Sequence, residues 1–239
     1  MLGVIVNSVA VIIGTFLGLL MKKGINKKVS DAVMVGVGLC VVFIAVGGLL
    51  PDNDAEAVSV AAIVAIVIGA IIGTVIDIDK WLGILGEKVS DKLKSKNDSG
   101  SSVADGFVNA TLLFCVGAMA IMGSISAGLE GNNTTLYIKS ILDFVSSIMF
   151  ASAFGIGVVF SSIPLFIYQG AIALGASFIA PLLSAGATDA ITCTGSIILV
   201  GLSFNLIGIT KIKVANYLPA IFLSPFLFYL FDWILRFVR

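Results

Sequence analysis

One short segment combines a carboxylate with hydroxyl side chains inside an otherwise apolar part of the chain. Asp189 is followed closely by Thr192, Thr194 and Ser196. On a helix, Asp189, Thr192 and Ser196 fall at positions i, i+3 and i+7 and so share a face. Such a face offers only oxygen ligands, which suit a proton or a hard cation better than a transition metal. The segment therefore predicts an ion path in which Asp189 accepts the proton or cation and the three hydroxyls line the way.

Asp189 also has a purely structural interpretation. It lies at the start of a predicted helix, and aspartate is one of the preferred N-cap residues. In that case its carboxylate would accept a backbone N–H at the outer surface and take no part in transport.

A lysine and an aspartate four residues apart form a second candidate. Lys139 and Asp143 share one face of a predicted helix, because i and i+4 side chains are neighbours. An ionisable group at membrane depth costs roughly 2.5–3.5 kcal/mol on insertion scales, so it needs a partner or a purpose. We interpret the pair as a gate or counter-charge at the outer mouth of a solute path. The alternative is an ion pair at the membrane interface, whose lysine extends outward along its apolar stem.

Amide side chains complete the set of candidates. Gln169 needs hydrogen-bond partners if it is buried, and a neighbouring helix or a solute could supply them. Asn7, Asn109 and Asn216 lie near the starts of apolar segments or within them. Pro219 removes one helical hydrogen bond and frees a carbonyl near Asn216, which suits ion or solute coordination. Contacts between helices explain each asparagine equally well.

Missing residue types exclude several kinds of chemistry. The chain has no histidine, which removes the commonest metal ligand and the usual proton carrier at neutral pH. Its three cysteines, Cys40, Cys115 and Cys193, are odd in number and widely spaced, so a disulfide framework is not expected. No Walker motif is present, and 14 basic residues balance 14 acidic ones, which gives no support to nucleic-acid binding. We expect no enzymatic activity, no catalytic residue, no metal and no cofactor.

The elements that carry these residues are predicted to be membrane-spanning helices. Hydrophobic residues make up 59% of the chain and charged residues 12%. A span needs about 20 mostly apolar residues, and the windows of this kind are 2–20, 31–50, 58–78, 106–126, 139–160, 163–183, 188–209 and 214–235. The sequence therefore predicts an all-α, polytopic bundle of eight transmembrane helices, or seven if the fifth and sixth segments form one broken hairpin.

Lysines assign a direction to these spans. The connections 21–30, 80–104 and 209–213 hold eleven lysines. The positive-inside rule places these connections in the cytoplasm and both termini outside. Arg236 and Arg239 at the C-terminus run against this assignment.

A polar stretch at 80–105 divides what we predict to be a single integral membrane domain, residues 1–239. Three spans precede it, within 1–79, and the remaining spans follow it, within 106–239. Apolar residues at helical spacing, lysines and Trp81 predict a helix lying on the cytoplasmic membrane surface, followed by a flexible linker.

Glycine-containing segments indicate close packing and an internal repeat. Residues 14–18 and 69–73 share a spacing of small residues that lets helices approach closely, and such faces also predict a homodimer. Residues 115–123 resemble residues 193–201, three spans later, so the two copies would cross the membrane in opposite directions. Inverted repeats are a recurring architecture of secondary transporters. Chance similarity between glycine-rich segments is the alternative.

Two segments carry patterns more specific than composition. Residues 136–144 contain Lys-x3-Asp-Phe, and residues 214–220 contain Asn-x-Leu-Pro-Ala. With these patterns, and with matching residues from Asn7 onward, nearly the whole chain resembles the YqgA/YdfK-type bacterial membrane proteins, which carry only a domain-of-unknown-function label. The resemblance implies a multi-pass protein of the bacterial inner membrane and a role in transport, and it supplies no substrate. The surroundings of Asp189 match that family only loosely.

Together these features favour a secondary transporter in the lipid bilayer for a small solute or cation. One alternative is a membrane scaffold or partner-binding protein, in which the polar residues pair only among themselves. The other is an ion channel, which would need a ring of charges or a filter repeat that this sequence does not show. A polar cavity that reaches Asp189, Gln169 and Asn216 from one side would favour the transporter.

Overall fold

The structure, a computed structural model, describes residues 1–22, 27–93 and 100–238, and the regular elements in these ranges are all helical. The all-α fold predicted from the sequence is thereby confirmed. The α-helices are α1 (Leu2–Lys22), α2 (Lys27–Gly47), α3 (Ala55–Ile76), α4 (Ile78–Leu93), α5 (Gly100–Cys115), α6 (Ala118–Leu129), α7 (Thr134–Phe154), α8 (Ser162–Leu174), α9 (Ala176–Ile179), α10 (Ala185–Ile207) and α11 (Pro219–Val238). Short 3₁₀ helices occupy Ile156–Ser161, Ala180–Leu182 and Val214–Tyr217.

Six helical segments of the described chain are long and apolar enough to cross a membrane. They are α1, α3, α7, Ile156–Leu174, α10 and Val214–Phe237. Helices α5 and α6 pass the same test together, with a bend of 60° between them, and bring the number to seven. The membrane helix bundle is thus confirmed, with six to seven candidate spans where the sequence predicted seven or eight.

The difference in span number comes from α2. Its apolar stretch, Asp31–Gly47, is shorter than the predicted window 31–50. A turn begins at Gly48, and Pro51 follows it, so the helix ends before the window does. The predicted alternative of one broken hairpin is wrong, because α7 and Ile156–Leu174 are two separate candidate spans.

Glycines bring α1 into close parallel contact with α7. A Cβ atom at Gly14 would lie 2.5 Å from the carbonyl oxygen of Phe144, and one at Gly18 would lie 2.3 Å from that of Ile148. Only a residue without a side chain allows two backbones to approach this closely. The contact fixes α1 against the inner face of α7, on which Lys139 and Asp143 lie.

A similar contact joins α3 to α11, which run in opposite directions. A Cβ atom at Gly69 would lie 2.5 Å from the backbone nitrogen of Ala220, and one at Gly73 would lie 1.9 Å from the carbonyl oxygen of Asn216. The glycine spacing shared by 14–18 and 69–73 therefore serves packing within one chain. A homodimer through glycine-rich faces stays a prediction, and these two faces are already occupied.

The described parts of the connections predicted to be cytoplasmic meet at one end of the bundle, which we call the lysine-rich end. The Lys213 ammonium donates to Asp77 at 3.2 Å, which ties the start of the last span to the end of α3. Helix α4 confirms the helix predicted after residue 80, and its Gly86 packs against Ala104 of α5. Helix α5 begins at Gly100, inside the predicted linker, of which residues 94–99 lie outside the described ranges.

Both chain ends lie at the opposite end of the bundle. The Gly3 N–H donates to Asn133 Oδ1 at 2.8 Å, next to the start of α7. Near the C-terminus, Arg236 donates to Asp232 at 3.0 Å and borders the same surface cavity as Glu56. Acidic neighbours explain how a basic residue is accommodated away from the lysine-rich end. Which end faces the cytoplasm stays a prediction.

Candidate functional site

Four polar side chains from three helices meet in the interior of the bundle, and we call them the buried polar cluster. They are Asn7 of α1, Lys139 and Asp143 of α7, and Gln169 of α8, and none is more than 6% exposed. The Lys139 ammonium donates to Asp143 Oδ2. The Asn7 amide donates to the same oxygen at 3.0 Å and to Gln169 Oε1 at 3.3 Å. The charged pair is therefore held from a second side by a network of amides.

The pair lies deeper in α7 than the sequence predicted. Helix α7 begins at Thr134, five residues before Lys139, rather than at Lys139 itself. Asp143 is nine residues from the helix start, about 14 Å along the axis and close to the middle of the helix. The expectation that Lys139 lies at the helix end was wrong because residues 134–138 join the helix, and a role as a gate stays a prediction. A surface ion pair is excluded by the same geometry, since both side chains are buried.

Two amide atoms of the buried polar cluster have no hydrogen-bond partner among the described residues. They are Asn7 Oδ1, an acceptor, and Gln169 Nε2, a donor, and both residues are fully buried. A buried polar atom without a partner costs about 1–3 kcal/mol. The cluster therefore keeps one acceptor and one donor that a bound molecule or water would satisfy.

A break between α5 and α6 lies beside the charged pair. Helix α5 ends at Cys115, α6 begins at Ala118, and Gly117 between them has φ 140° and ψ 145°. Such a backbone conformation is readily adopted only by glycine. Gly195 lets α10 pack closely against the break. A Cβ atom added at Gly195 would lie only 3.2 Å from the side chain of Val116. The break therefore lies between α7 and α10, at the level of the pair.

The break borders a cavity of about 260 Å³, which we call the central cavity. Lys139 and Asp143 line it from α7, and the hydroxyl-bearing residues Thr192 and Ser196 line it from α10. Ser146 lies on its wall one turn after Asp143. The central cavity therefore joins Lys139 and Asp143 to two hydroxyl residues of α10. The expectation of one cavity that reaches Asp189, Gln169 and Asn216 was wrong, because none of these three is among the described residues that line it.

Asp189 lies elsewhere on α10, near the end opposite the lysine-rich end. Its Oδ2 accepts hydrogen bonds from the backbone N–H and the side-chain amide of Asn53, each at 2.9 Å. The carboxylate thus fastens the α2–α3 connection to α10. The N-cap interpretation of Asp189 was wrong, because the helix begins four residues earlier and Ser184 is its N-cap, accepting from the Ala187 N–H at 3.3 Å.

Thr194 points away from the other hydroxyl residues of the segment. It is fully buried, and its Oγ1 has no hydrogen-bond partner within the described chain. Thr192 and Ser196 are four residues apart and share the face that lines the central cavity, whereas Thr194 lies on a different face of α10.

Asn216 lies at the lysine-rich end, and its side chain forms a hydrogen bond there and not with the buried polar cluster. Its Oδ1 accepts from the backbone N–H of Asp79 at 2.8 Å and so caps the start of α4. The kink expected at Pro219 is absent, because this proline is the first residue of α11. Burial raises the pKa of the Asp79 carboxyl above its ordinary value, while the hydrogen bond from Lys213 lowers that of Asp77.

Asn109 lines a second cavity, of about 180 Å³, which we call the lysine-end cavity. Asp79 and Asp105 lie on the same wall. Leu112 borders the lysine-end cavity and the next residue, Leu113, borders the central cavity. The two cavities therefore reach consecutive residues of α5, which point to different faces of the helix.

Sequence reasoning missed the helix break. The window 106–126 appeared as one apolar span, and the glycine within it is one of 26 in the chain. Cys115, at the end of α5, is close enough to Lys139 and Asp143 to interact with both charges. The only sequence signal was the glycine itself, which does not stand out in a glycine-rich chain.

The chain is similar over nearly its whole length to proteins of bacteria, one of which is named a membrane protein. The family described as "Protein of unknown function (DUF554)" matches residues 2–229. The "Uncharacterized membrane protein YdfK" of Bacillus subtilis (strain 168) is 32% identical over 228 residues, which cover 94% of each chain. The "Uncharacterized protein YqgA" of Escherichia coli (strain K12) is 28% identical over 225 residues, 93% of this chain and 94% of that protein. No solved structure gives a significant match.

Proposed function

We propose that this chain, which belongs to the DUF554 family, is a secondary transporter that carries a small solute or ion across the bacterial inner membrane. One observation carries the proposal. A buried, oppositely charged pair lies near the middle of a candidate span and borders a cavity at a broken helix.

The energetic cost of that pair supports a functional interpretation. Replacing a buried ion pair by well-packed apolar residues is often neutral or stabilising, by about 1–4 kcal/mol. Stability alone therefore gives no reason to keep Lys139 and Asp143 at this depth. Ionisable residues inside membrane spans typically mark the paths of ions or substrates.

The broken helix supports the same conclusion. Irregular backbone at membrane depth is tolerated where it lines a cavity or is buried in protein. Many secondary transporters bind their substrates near the membrane midplane at helices of this discontinuous kind. The segment from Cys115 to Ala118 has this form, and it borders the central cavity.

Each candidate residue then has a role. Lys139 and Asp143 contact the solute, and Thr192 and Ser196 offer hydroxyls from the opposite wall. Asn7 and Gln169 orient the pair from behind. Asp189 and Asn216 anchor connections at the two ends of the bundle, and Asn109 lies on the path through the lysine-end cavity.

A membrane scaffold is the second candidate function. It is favoured by the internal pairing of several polar residues, such as Asp189 with Asn53 and Asn216 with Asp79. In a scaffold, changes at the central cavity would alter folding and nothing else.

A flux assay on the purified protein distinguishes the two functions. Proteoliposomes with an imposed proton or sodium gradient would be screened against pooled small solutes and cations, with protein-free liposomes as the control. The proposal expects gradient-driven accumulation of at least one pool, abolished by an ionophore. Protein-containing liposomes that accumulate no pool above the protein-free control would refute it.

A further inference from the structure

The charges around the central cavity place a condition on what it binds. Among the described residues that line it, Lys139 and Asp143 are the ionisable ones, so its wall carries one positive and one negative charge. A solute with a net charge would leave one charge uncompensated in a setting of low dielectric constant, at a high energetic cost. A solute that carries one positive and one negative group leaves neither Lys139 nor Asp143 uncompensated.

Such a solute would bind by exchanging ion-pair partners with Lys139 and Asp143. The Lys139 ammonium, now bound to Asp143, would turn to a carboxylate of the solute, and Asp143 would accept from an ammonium of the solute. The Asn7 amide already donates to Asp143 Oδ2 and would hold this carboxylate in place while the lysine leaves. The number of charge-to-charge contacts rises from one to two, and the net charge of the site stays at zero.

The break between α5 and α6 adds a second set of opposite charges. The N–H groups at the start of α6 carry partial positive charge, and the carbonyls at the end of α5 carry partial negative charge. No side chain caps the start of α6, and Gly117 and Met119 there line the central cavity. In transporters with discontinuous helices, the helix N-termini bind anionic groups of the substrate, and the helix C-termini bind cations.

The size and the remaining wall limit the solute further. A water molecule occupies about 30 Å³ in the liquid, so 260 Å³ has room for roughly nine groups of that size. Ile44, Leu142 and Leu199 form an aliphatic part of the wall, which suits a small apolar substituent.

We infer that the solute of the central cavity is a small zwitterion, with one carboxylate and one ammonium group close together. This inference rests on the proposed transport function and names the substrate class of the same site.

Three labelled pools of matched size test the inference in proteoliposomes with proton and sodium gradients. The first contains glycine, alanine, serine, proline, valine and leucine. The second contains the carboxylates that lack their ammonium groups, and the third contains the amines that lack their carboxylates. We expect saturable uptake of the first pool at least tenfold above that of the other two. Uptake of only the second or third pool would overturn the zwitterion and leave transport standing. Uptake of none of the three pools would also overturn the zwitterion, and transport itself would fall only if the wider screen of solutes and cations found no uptake either.

Protection of a cysteine at position 146 gives an independent readout without changing the charged pair. In a Cys40→Ser, Cys115→Ala, Cys193→Ala background, Ser146→Cys supplies the thiol, on the wall of the central cavity and one turn after Asp143. We expect the first pool to slow its modification by a small thiol reagent at least threefold, and the other pools to leave the rate unchanged. Equal protection by all three pools, or by the carboxylates alone, would overturn the inference.

Discussion

At the scale of single residues, the depth of Lys139 and Asp143 determines how the site works. Both residues are 6% exposed, and the network that holds them spans α1, α7 and α8. A charged pair in this position contributes little net stability, and this is why we propose that it binds a solute.

Removing one member of the pair should be worse for stability than removing both. Lys139→Ala or Asp143→Ala leaves an uncompensated buried charge, which typically costs 3–5 kcal/mol, whereas the double variant leaves none. Thermal unfolding in detergent would measure the three midpoints. Asp232→Ala serves as the matched control, because its i, i+4 partner Arg236 is largely exposed and such pairs contribute about 0.3–0.5 kcal/mol. Single variants that unfold like the parent would contradict the uncompensated-charge argument.

Asp189 should matter for the α2–α3 connection and not for flux. Asp189→Asn keeps an oxygen that accepts from Asn53, so we expect uptake within about twofold of the parent once a solute is known. Asp189→Ala removes both hydrogen bonds and should lower stability by about 1 kcal/mol, since each contributes roughly 0.5–1.5 kcal/mol and the site is partly exposed. Loss of gradient-driven uptake in the asparagine variant alone would instead restore the ion-coupling role.

At the scale of elements, the helices were readable from the sequence and the break was not. Long apolar windows predicted α1, α3, α7, α10 and α11, because a membrane span must be about 20 apolar residues long. Helix starts were less certain, since Thr134 to Ile138 are compatible with either a loop or a helix. The meeting of Asn7, Asp143 and Gln169 depends on close packing between distant helices, which a single sequence does not encode locally.

Gly117 should be required for the break between α5 and α6. An alanine there would have to adopt φ near 140°, a strained conformation that costs about 1–3 kcal/mol, or straighten the helix pair. We expect Gly117→Ala to reduce uptake at least tenfold while the protein still folds. Gly36→Ala is the matched control, because a Cβ atom there meets open space on α2 and alanine is the better helix former. Equal uptake by the two variants would show that the break is not needed for transport.

At the scale of the whole molecule, packing brings Lys213, the end of α3 and the start of α4 together at one end, and places Gly3 and Arg236 at the other. Which end faces the cytoplasm stays a prediction. The two cavities border different faces of α5, at the consecutive residues Leu112 and Leu113, so this helix lies between them. Movement of α6 relative to α5 about Gly117 would expose the central cavity alternately, and this is how we expect the bundle to transport its solute.

Sidedness follows from the lysine distribution and is directly measurable. With native cysteines replaced, a cysteine at position 97 should react with a membrane-impermeant reagent only after the cells are opened, because the positive-inside rule places it in the cytoplasm. A cysteine at position 131, in the α6–α7 connection, should react in intact cells. Labelling of position 97 from outside would reverse the assignment, although the packing of the helices would stand.

The most direct test of the central claim removes both charges of the pair and keeps its shape. Lys139→Gln/Asp143→Asn leaves hydrogen-bonding groups of similar length beside Asn7, so the protein should unfold within a few degrees of the parent. Its gradient-driven uptake of the solute found in the screen should fall to the level of protein-free liposomes, because neither charged group of the solute would find a partner. Uptake equal to that of the parent in this folded, uncharged variant would show that the buried pair is not the transport site.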